Sequence, residues 1–261
     1  MSGRLTIVGL GPGRADLITP ATLQALAEAT DLVGYATYLD RVPASITQPL
    51  RHASDNRVEL DRARHALQLA EAGGRVVVVS GGDPGVFAMA AAVFEAIEAG
   101  PRHWRDLDVR VEPGVTAMLA AAAEAGAPLG ADFCAISLSD NLKSWTRIEQ
   151  RLTAAAEADF VIALYNPASR ARPHQLARAF DLLAGIRRPE TVVLLVRAAG
   201  SGATTVIAST LADVDARVAD MRTLVIIGSS RTRTIERDGG VPWVYTPRSE
   251  HDTPRSELEP E

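Results

Sequence analysis

The sequence predicts an α/β protein built on parallel or mixed sheets. Two observations predict it. Short, unbroken apolar runs recur along the chain, most of them ending in Gly, Ser or Asn, and alanine-rich stretches with apolar residues at helical spacing fall between them. An unbroken apolar run marks a strand covered on both faces, whereas a half-buried strand alternates.

In chain order, residues 5–8 form the first such run, closed by Gly9. Residues 20–29 read as a helix, with Thr19 as N-cap and Pro20 at the first helical position. A second helix over 57–72 stops at Gly73-Gly74, and the run 76–79 leads into Ser80-Gly81-Gly82-Asp83-Pro84. A helix over 86–99 stops at Gly100-Pro101, and the alanine run of 116–125 stops at Gly126. Strand runs at 134–138, 160–165, 192–196 and 224–227 then alternate with helical patterns at 145–158, 174–184 and 211–219. This organisation predicts an N-terminal α/β domain over 1–115, a C-terminal α/β domain over 116–245 and a flexible tail over 246–261. The tail is rich in Pro, Ser, Arg and Glu and poor in apolar residues.

The 261 residues suffice for a sizeable core, and 47% hydrophobic with 23% charged residues is ordinary for a globular protein. A net charge of −5 argues against nucleic acid as a partner. The single cysteine, Cys134, excludes an internal disulfide framework and a cysteine metal cage, which fits a reducing cytoplasm. No metal site is expected. The start of the chain lacks a signal-peptide pattern, and no apolar stretch approaches the ~18 residues that span a bilayer, so no membrane association is expected.

Ligands in open α/β sheets bind at the carboxyl ends of strands. Four loops stand there. Gly9-Leu10-Gly11-Pro12-Gly13 fails the dinucleotide fingerprint, because its third glycine comes one residue early and Pro12 brings no N–H to a phosphate. In Ser80-Gly81-Gly82-Asp83-Pro84-Gly85, Asp83 suits two roles, an acceptor for a ligand amino or hydroxyl group and a cap for a helix starting near Gly85. Glu112-Pro113-Gly114-Val115-Thr116-Ala117 and Leu164-Tyr165-Asn166-Pro167 also read as plain strand-to-helix turns.

Together these loops resemble the tetrapyrrole methylases, the precorrin or class III methyltransferases. The matching series is Val8-Gly9-Leu10-Gly11-Pro12-Gly13 with Asp16-Leu17-Ile18-Thr19, Ser80 to Phe87, Glu112 to Ala117, and Val225-Ile226-Ile227-Gly228. Four further stretches resemble the family members that methylate C17 of precorrin-3B and contract its ring to give precorrin-4: Gly34 to Leu39, Ala135 to Asp140, Tyr165 to Ser169, and Ile227 to Thr232. The resemblance implies two α/β domains with a trough between them, S-adenosyl-L-methionine as cofactor (S-adenosyl-L-homocysteine as its product), and a homodimer. It places Pro12, Gly81, Gly82, Asp83, Val86, Phe87, Thr116, Ala117, Leu138, Tyr165 and Asn166 at the cofactor. Gly11, Pro12, Gly13, Arg14 and Arg231 are expected at the tetrapyrrole.

Methyl transfer from an activated sulfonium needs mainly alignment, which alone lowers a barrier by roughly 7 to 11 kcal/mol. The five histidines are scattered in polar or helical contexts, and most are expected to be solvated. Ring contraction, which the resemblance also implies, needs proton transfer, for which Asp140, Tyr35, Tyr38 and Ser139 are the candidates. Tyr35 and Tyr38 also suit simple packing. Arg14, Arg57, Lys143, Arg197 and Arg231 are candidates for the substrate's carboxylate arms. Competing readings are a methylase of other regiospecificity such as C11, a cobalt-factor III C17-methylase, a non-catalytic nucleotide-binding α/β protein, and a Rossmann dehydrogenase.

Overall fold

The computed structural model describes residues 3–55, 58–169 and 171–249. It divides into two compact units: Met1–Ala120 with Gly200–Ala203, and Ala121–Ala199 with Thr204–Glu261.

The first unit runs β1 (Arg4–Gly9), α1 (Pro20–Glu28), β2 (Asp31–Tyr35), the single turn α2 (Ala36–Leu39), β3 (Leu50–Ser54), α3 (Glu59–Glu71), β4 (Arg75–Ser80), α4 (Met89–Ala99), β5 (Asp108–Glu112) and the start of α5 (Ala117–Ala125). Its sheet has the order β3-β2-β4-β1-β5, and every pairing is parallel. Because side chains alternate across a strand, β4 feeds two cores. Val76 and Val78 join Leu5, Ile7, Leu67 and Val93 beneath α3 and α4, while Val77 and Val79 join Val8, Leu26, Leu32 and Leu39 beneath α1. Thr19 caps α1 as expected, its side chain accepting from the Thr22 N–H at 3.2 Å, with Pro20 at the first position. The histidines depart in part from expectation. His52 is only partly exposed and lies between Asp31 (2.8 Å) and His65 (3.2 Å).

The second unit continues with β6 (Gly126–Ala127), β7 (Phe133–Ser137), α6 (Trp145–Glu157), β8 (Val161–Tyr165), α7 (Gln175–Ala184), β9 (Val192–Arg197), β10 (Thr205–Thr210), β11 (Thr223–Ile227), β12 (Arg233–Ile235) and β13 (Trp243–Tyr245). Its main sheet, β10-β9-β11-β8-β7, is mixed: β7 and β8 are parallel, and the other pairs are antiparallel. One face packs Ile136, Ile162, Leu164, Val193, Leu195 and Val225 against α6 and α7. A small third sheet joins β12, β13 and β6.

Three expectations change. The helix predicted over 211–219 is a run of turns with a 3-10 turn at Ala216–Val218. Asp213 holds the Thr210 hydroxyl (2.7 Å) and Asp215 holds the Arg217 N–H (2.8 Å), so short acidic side chains compete for the local donors a helix would use. Helix α4 begins at Met89 rather than 86. The predicted tail begins too early, because Thr246 is buried and its hydroxyl donates to the Pro128 carbonyl at 2.6 Å. Residues 250–261 lie outside the described residues. Among the described residues, no helix is long and apolar enough to cross a membrane.

Candidate active site

In the first unit β1, β4 and β5 run parallel and side by side, and the loops that leave their carboxyl ends are locked together. Gly11 and Gly82 exchange backbone hydrogen bonds, Gly11 N–H to Gly82 O at 3.1 Å and Gly82 N–H to Gly11 O at 2.9 Å. A Cβ on Gly114 would stand 2.3 Å from the Gly82 carbonyl oxygen and 2.9 Å from the Gly9 Cα. Only glycine permits main chains to approach so closely. Asp83 completes the lock: Oδ1 accepts from the Gly85 N–H (2.8 Å) and Oδ2 from the Gly114 N–H (3.0 Å). The helix-cap reading of Asp83 falls, since α4 starts six residues later and its Met89 N–H is met by the Ser80 hydroxyl at 3.4 Å.

Val86 and Phe87 carry the chain down to α4. Phe87 has φ +52° and a side chain about half exposed, a backbone state that costs a bulky residue energy and concentrates at ligand sites. Thr116 is buried, its Cα 3.6 Å from where a Gly82 Cβ would stand, and Ala117 opens α5. Pro12 is partly buried and Gly13 exposed. Arg14 grips Asp16 through Nε (2.9 Å) and Nη2, which holds the Asp16 carboxyl below its usual range.

Tyr35 and Tyr38 meet edge to face at 5.6 Å, and the Tyr38 ring covers Gly81, where a Cβ would come within 2.8 Å of it. Burial pushes the Tyr38 phenol up, outweighing the nearby Arg41 charge, so it stays protonated as a donor. Arg41, which sequence reasoning passed over, donates through Nη2 to the carbonyls of Gly11 (2.7 Å) and Leu10 (3.3 Å). It sits three residues beyond Tyr38, just past the α2 turn, and that proximity to the Gly34–Leu39 motif was its only signal.

In the second unit the parallel pair β7–β8 ends at Ser137 and Tyr165. Here the Leu138 N–H donates to the Tyr165 carbonyl (2.9 Å), and the Ser137 hydroxyl accepts from Asn166 Nδ2 (2.9 Å) and the Ser139 N–H (3.3 Å). Asn166 adopts φ +53°, a conformation asparagine tolerates well. The Leu138 side chain is fully buried in the core, so what that residue presents at the strand end is main chain. Ser139 and Asp140 are held by a residue the sequence reading missed. Arg172 Nη1 donates to Ser139 Oγ (2.6 Å) and Asn141 Oδ1 (2.8 Å) and lies 3.8 Å from Asp140, while Gln175 reaches the other Asp140 oxygen at 3.4 Å. The only sequence signal for Arg172 was its place in the loop that opens with Tyr165-Asn166-Pro167.

Arg231 is not brought to this end. β11 runs antiparallel to β8, with Ile227 opposite Ile162 and Val225 opposite Leu164, so the residues after Ile227 emerge at the amino end of β8. There Ser230 binds Asp159, which precedes β8 and pairs with the buried Arg187, and Arg231 Nη2 reaches the Ser249 carbonyl at 3.4 Å. Among the other candidate arginines, Arg197 pairs with Asp220 at 2.8 Å, and Arg57 lies outside the described residues. Burial lowers the pKa of Lys143, and the neighbouring Arg151 charge adds to the effect.

The chain matches the Tetrapyrrole (Corrin/Porphyrin) Methylases over residues 4–215. A Precorrin-3B C(17)-methyltransferase of a Sinorhizobium species is 57% identical over 248 residues, covering 95% of this chain and 97% of that protein. A probable cobalt-factor III C(17)-methyltransferase of Salmonella typhimurium is 43% identical over 228 residues, 87% of this chain and 93% of that one. The crystal structure of the methyltransferase CobJ aligns with a TM-score of 0.88 at 54% identity, over 94% of this chain and all of that chain. The chain belongs to the tetrapyrrole methylase family, and the Rossmann dehydrogenase reading falls with that finding.

Proposed function

We propose that the chain is an S-adenosyl-L-methionine-dependent methyltransferase of cobalamin biosynthesis that methylates C17 of precorrin-3B and contracts the macrocycle to precorrin-4. The observation that carries this reading is the near end-to-end similarity to the Sinorhizobium precorrin-3B enzyme, 57% identical over 95% of this chain.

The chain's own groups fit that cofactor better than a nucleotide phosphate. The segments Ser80 to Ala88 and Glu112 to Ala117 contain no lysine or arginine, and they carry Asp83 and Glu112. These two segments bring carboxylates and no cation of their own, and the neighbouring Arg41 is engaged on the Gly11 and Leu10 carbonyls, a balance that suits a sulfonium better than a polyphosphate. Bound S-adenosyl-L-methionine supplies an activated methyl group. The interlocked glycine loops offer it main chain held rigid by Asp83, and the exposed Phe87 ring adds an apolar face. Thr116, Ala117, Val86, Tyr165 and Asn166 are proposed as further contacts, with Gly11, Pro12 and Gly13 toward the tetrapyrrole. For proton handling Asp140 is the favoured group, its carboxylate oriented by Arg172 and Gln175, and Ser139 is fixed beside it. Tyr38 stays an O–H donor, and Tyr35 braces it.

We further propose a cytoplasmic enzyme acting as a homodimer. Phe94 and Leu119, each half exposed on α4 and α5, are apolar surface that a second copy would cover. Light scattering should then give twice the chain mass.

The test is turnover with S-adenosyl-L-methionine and precorrin-3B, read by mass spectrometry and NMR. One methyl gained at C17 in a contracted ring is expected. A methyl at another carbon retains the family and overturns the regiospecificity. Turnover on cobalt-factor III alone favours the second reading, which the Salmonella relative supports. Tight cofactor binding without turnover on either substrate overturns the enzymatic reading.

A further inference from the structure

The arginine expected to bind a carboxylate arm, Arg231, emerges at the wrong end of the second unit's sheet, yet a different arginine occupies the right one. Arg172 stands where β7 and β8 end, with a side chain only 15% exposed. Its turn is closed by reciprocal backbone hydrogen bonds with Ser169, 3.1 and 3.0 Å. Nη1 is used up inside the protein, on Ser139 Oγ and Asn141 Oδ1. Nε and Nη2 have no hydrogen-bond partner among the described residues, and they are not sealed in the interior. Together they form one edge of the guanidinium, two parallel N–H groups at the spacing of the two oxygens of a carboxylate. In the same turn Ser169 Oγ is buried without a hydrogen-bond partner among the described residues. A buried hydroxyl left in that state is costly, and such groups call for a physical reason.

We propose that Arg172 binds a carboxylate arm of the tetrapyrrole through its Nε–Nη2 edge, while Nη1 holds Ser139, Asp140 and Asn141 still. This rests on the tetrapyrrole reading above. Asp140, 3.8 Å from Nη1, neutralises the guanidinium only in part and engages none of the Nε–Nη2 edge. One side chain thereby couples seating of the substrate to the orientation of the proposed proton acceptor. That coupling explains why an arginine, with its planar fork, stands here rather than a lysine.

The experiment compares full-length wild type with Arg172→Gln, Arg172→Lys and Asn141→Ala. Three quantities are read: KM and kcat on precorrin-3B, the S-adenosyl-L-methionine Kd by calorimetry, and binding of uroporphyrin III, a tetrapyrrole octacarboxylate, by fluorescence titration. Arg172→Gln should raise the tetrapyrrole KM and Kd by about 10- to 100-fold, the range expected for a charged hydrogen-bonded pair, with the cofactor Kd within about twofold. Arg172→Lys should fall between, since it restores the charge without the fork. Asn141→Ala loosens Nη1 only and should weaken tetrapyrrole binding far less. An unchanged tetrapyrrole KM and Kd in Arg172→Gln overturns the proposal, as does an equal rise in Asn141→Ala or a parallel loss of cofactor binding. Wild type that binds uroporphyrin III without methylating precorrin-3B sinks the C17 reading and leaves the carboxylate site standing. Wild type that does neither overturns the site as well.

Discussion

Gly114→Ala puts the interlocked loops to their most direct test. The added Cβ would lie 2.3 Å from the Gly82 oxygen and 2.9 Å from the Gly9 Cα, where ordinary contact begins near 3.4 Å. Both obstacles are main chain, so no side chain can swing aside. The loops must part by about 1 Å, well beyond the soft part of a van der Waals contact. The Gly82 oxygen holds the Gly11 N–H at 3.1 Å, and the Gly114 N–H holds Asp83 at 3.0 Å. Losing these two bonds at about 1 to 2 kcal/mol each, with overpacking of about 1 to 3 kcal/mol, places the cost at roughly 3 to 7 kcal/mol. Each kcal/mol lowers Tm by about 2 to 4 °C in a protein of this size. Differential scanning calorimetry reads the stability and isothermal calorimetry the cofactor affinity. A Tm lower by about 6 °C or more and a Kd weakened at least about tenfold are expected. Gly202→Ala is the control, because its Cβ meets nothing within 4 Å, and it should be neutral or slightly stabilising. A Gly114→Ala protein with wild-type Tm and wild-type cofactor affinity would refute the idea that close main-chain approach builds this site.

Three other outcomes follow from the same geometry. Phe87→Gly removes a strained backbone state, φ +52°, and an exposed ring together; its stability should hold or rise by up to ~1 kcal/mol while cofactor affinity falls, and a loss of both would contradict this. Thr246→Val deletes the buried hydroxyl that donates to Pro128 O and meets Thr232 Oγ1 at 2.8 Å; thermal unfolding should register about 1 to 3 kcal/mol lost. Asp220 is partly desolvated, which raises its pKa, but Arg197, the Arg222 N–H and Thr223 outweigh burial, so its net pKa is lowered. A lowered folded-state pKa means stability present above the unfolded carboxylate range and lost as pH falls through the folded value. Asp220→Asn should therefore be less stable than wild type at pH 7, with the gap closing below about pH 4 in urea titrations; a gap constant down to acid pH would show that charge plays no part.

How much of this was legible beforehand depends on where each strand sits. The strands whose apolar runs stood out are β1 and β4 at the centre of the first sheet, β8, β9 and β11 at the centre of the second, and the apolar edge strand β7. The edges β3, β5 and β10 escaped notice. Leu50-Arg51-His52-Ala53-Ser54 and Asp108-Val109-Arg110-Val111-Glu112 carry polar side chains where an edge strand meets solvent, so no continuous run marks them. β2, though central, was hidden because Asp31 and Gly34 cut its apolar run to Leu32-Val33.

Local chemistry settled a good deal. The glycine pattern, the Thr19-Pro20 helix start and the apolar runs depend only on neighbours along the chain, and so the α/β class and the loops of the candidate site could be read without coordinates. What only the tertiary structure decided is direction and partnership. The sense of β11 carries Arg231 to the amino end of β8, because an antiparallel pairing reverses which end of a strand a motif reaches. The use of Asp83 as a clamp on Gly114, and of Arg172 as a clamp on Ser139, joins residues 31 and 33 positions apart. Hydrogen bonds of that range are fixed by how the sheets bring loops together, and no periodicity or spacing along the chain encodes them.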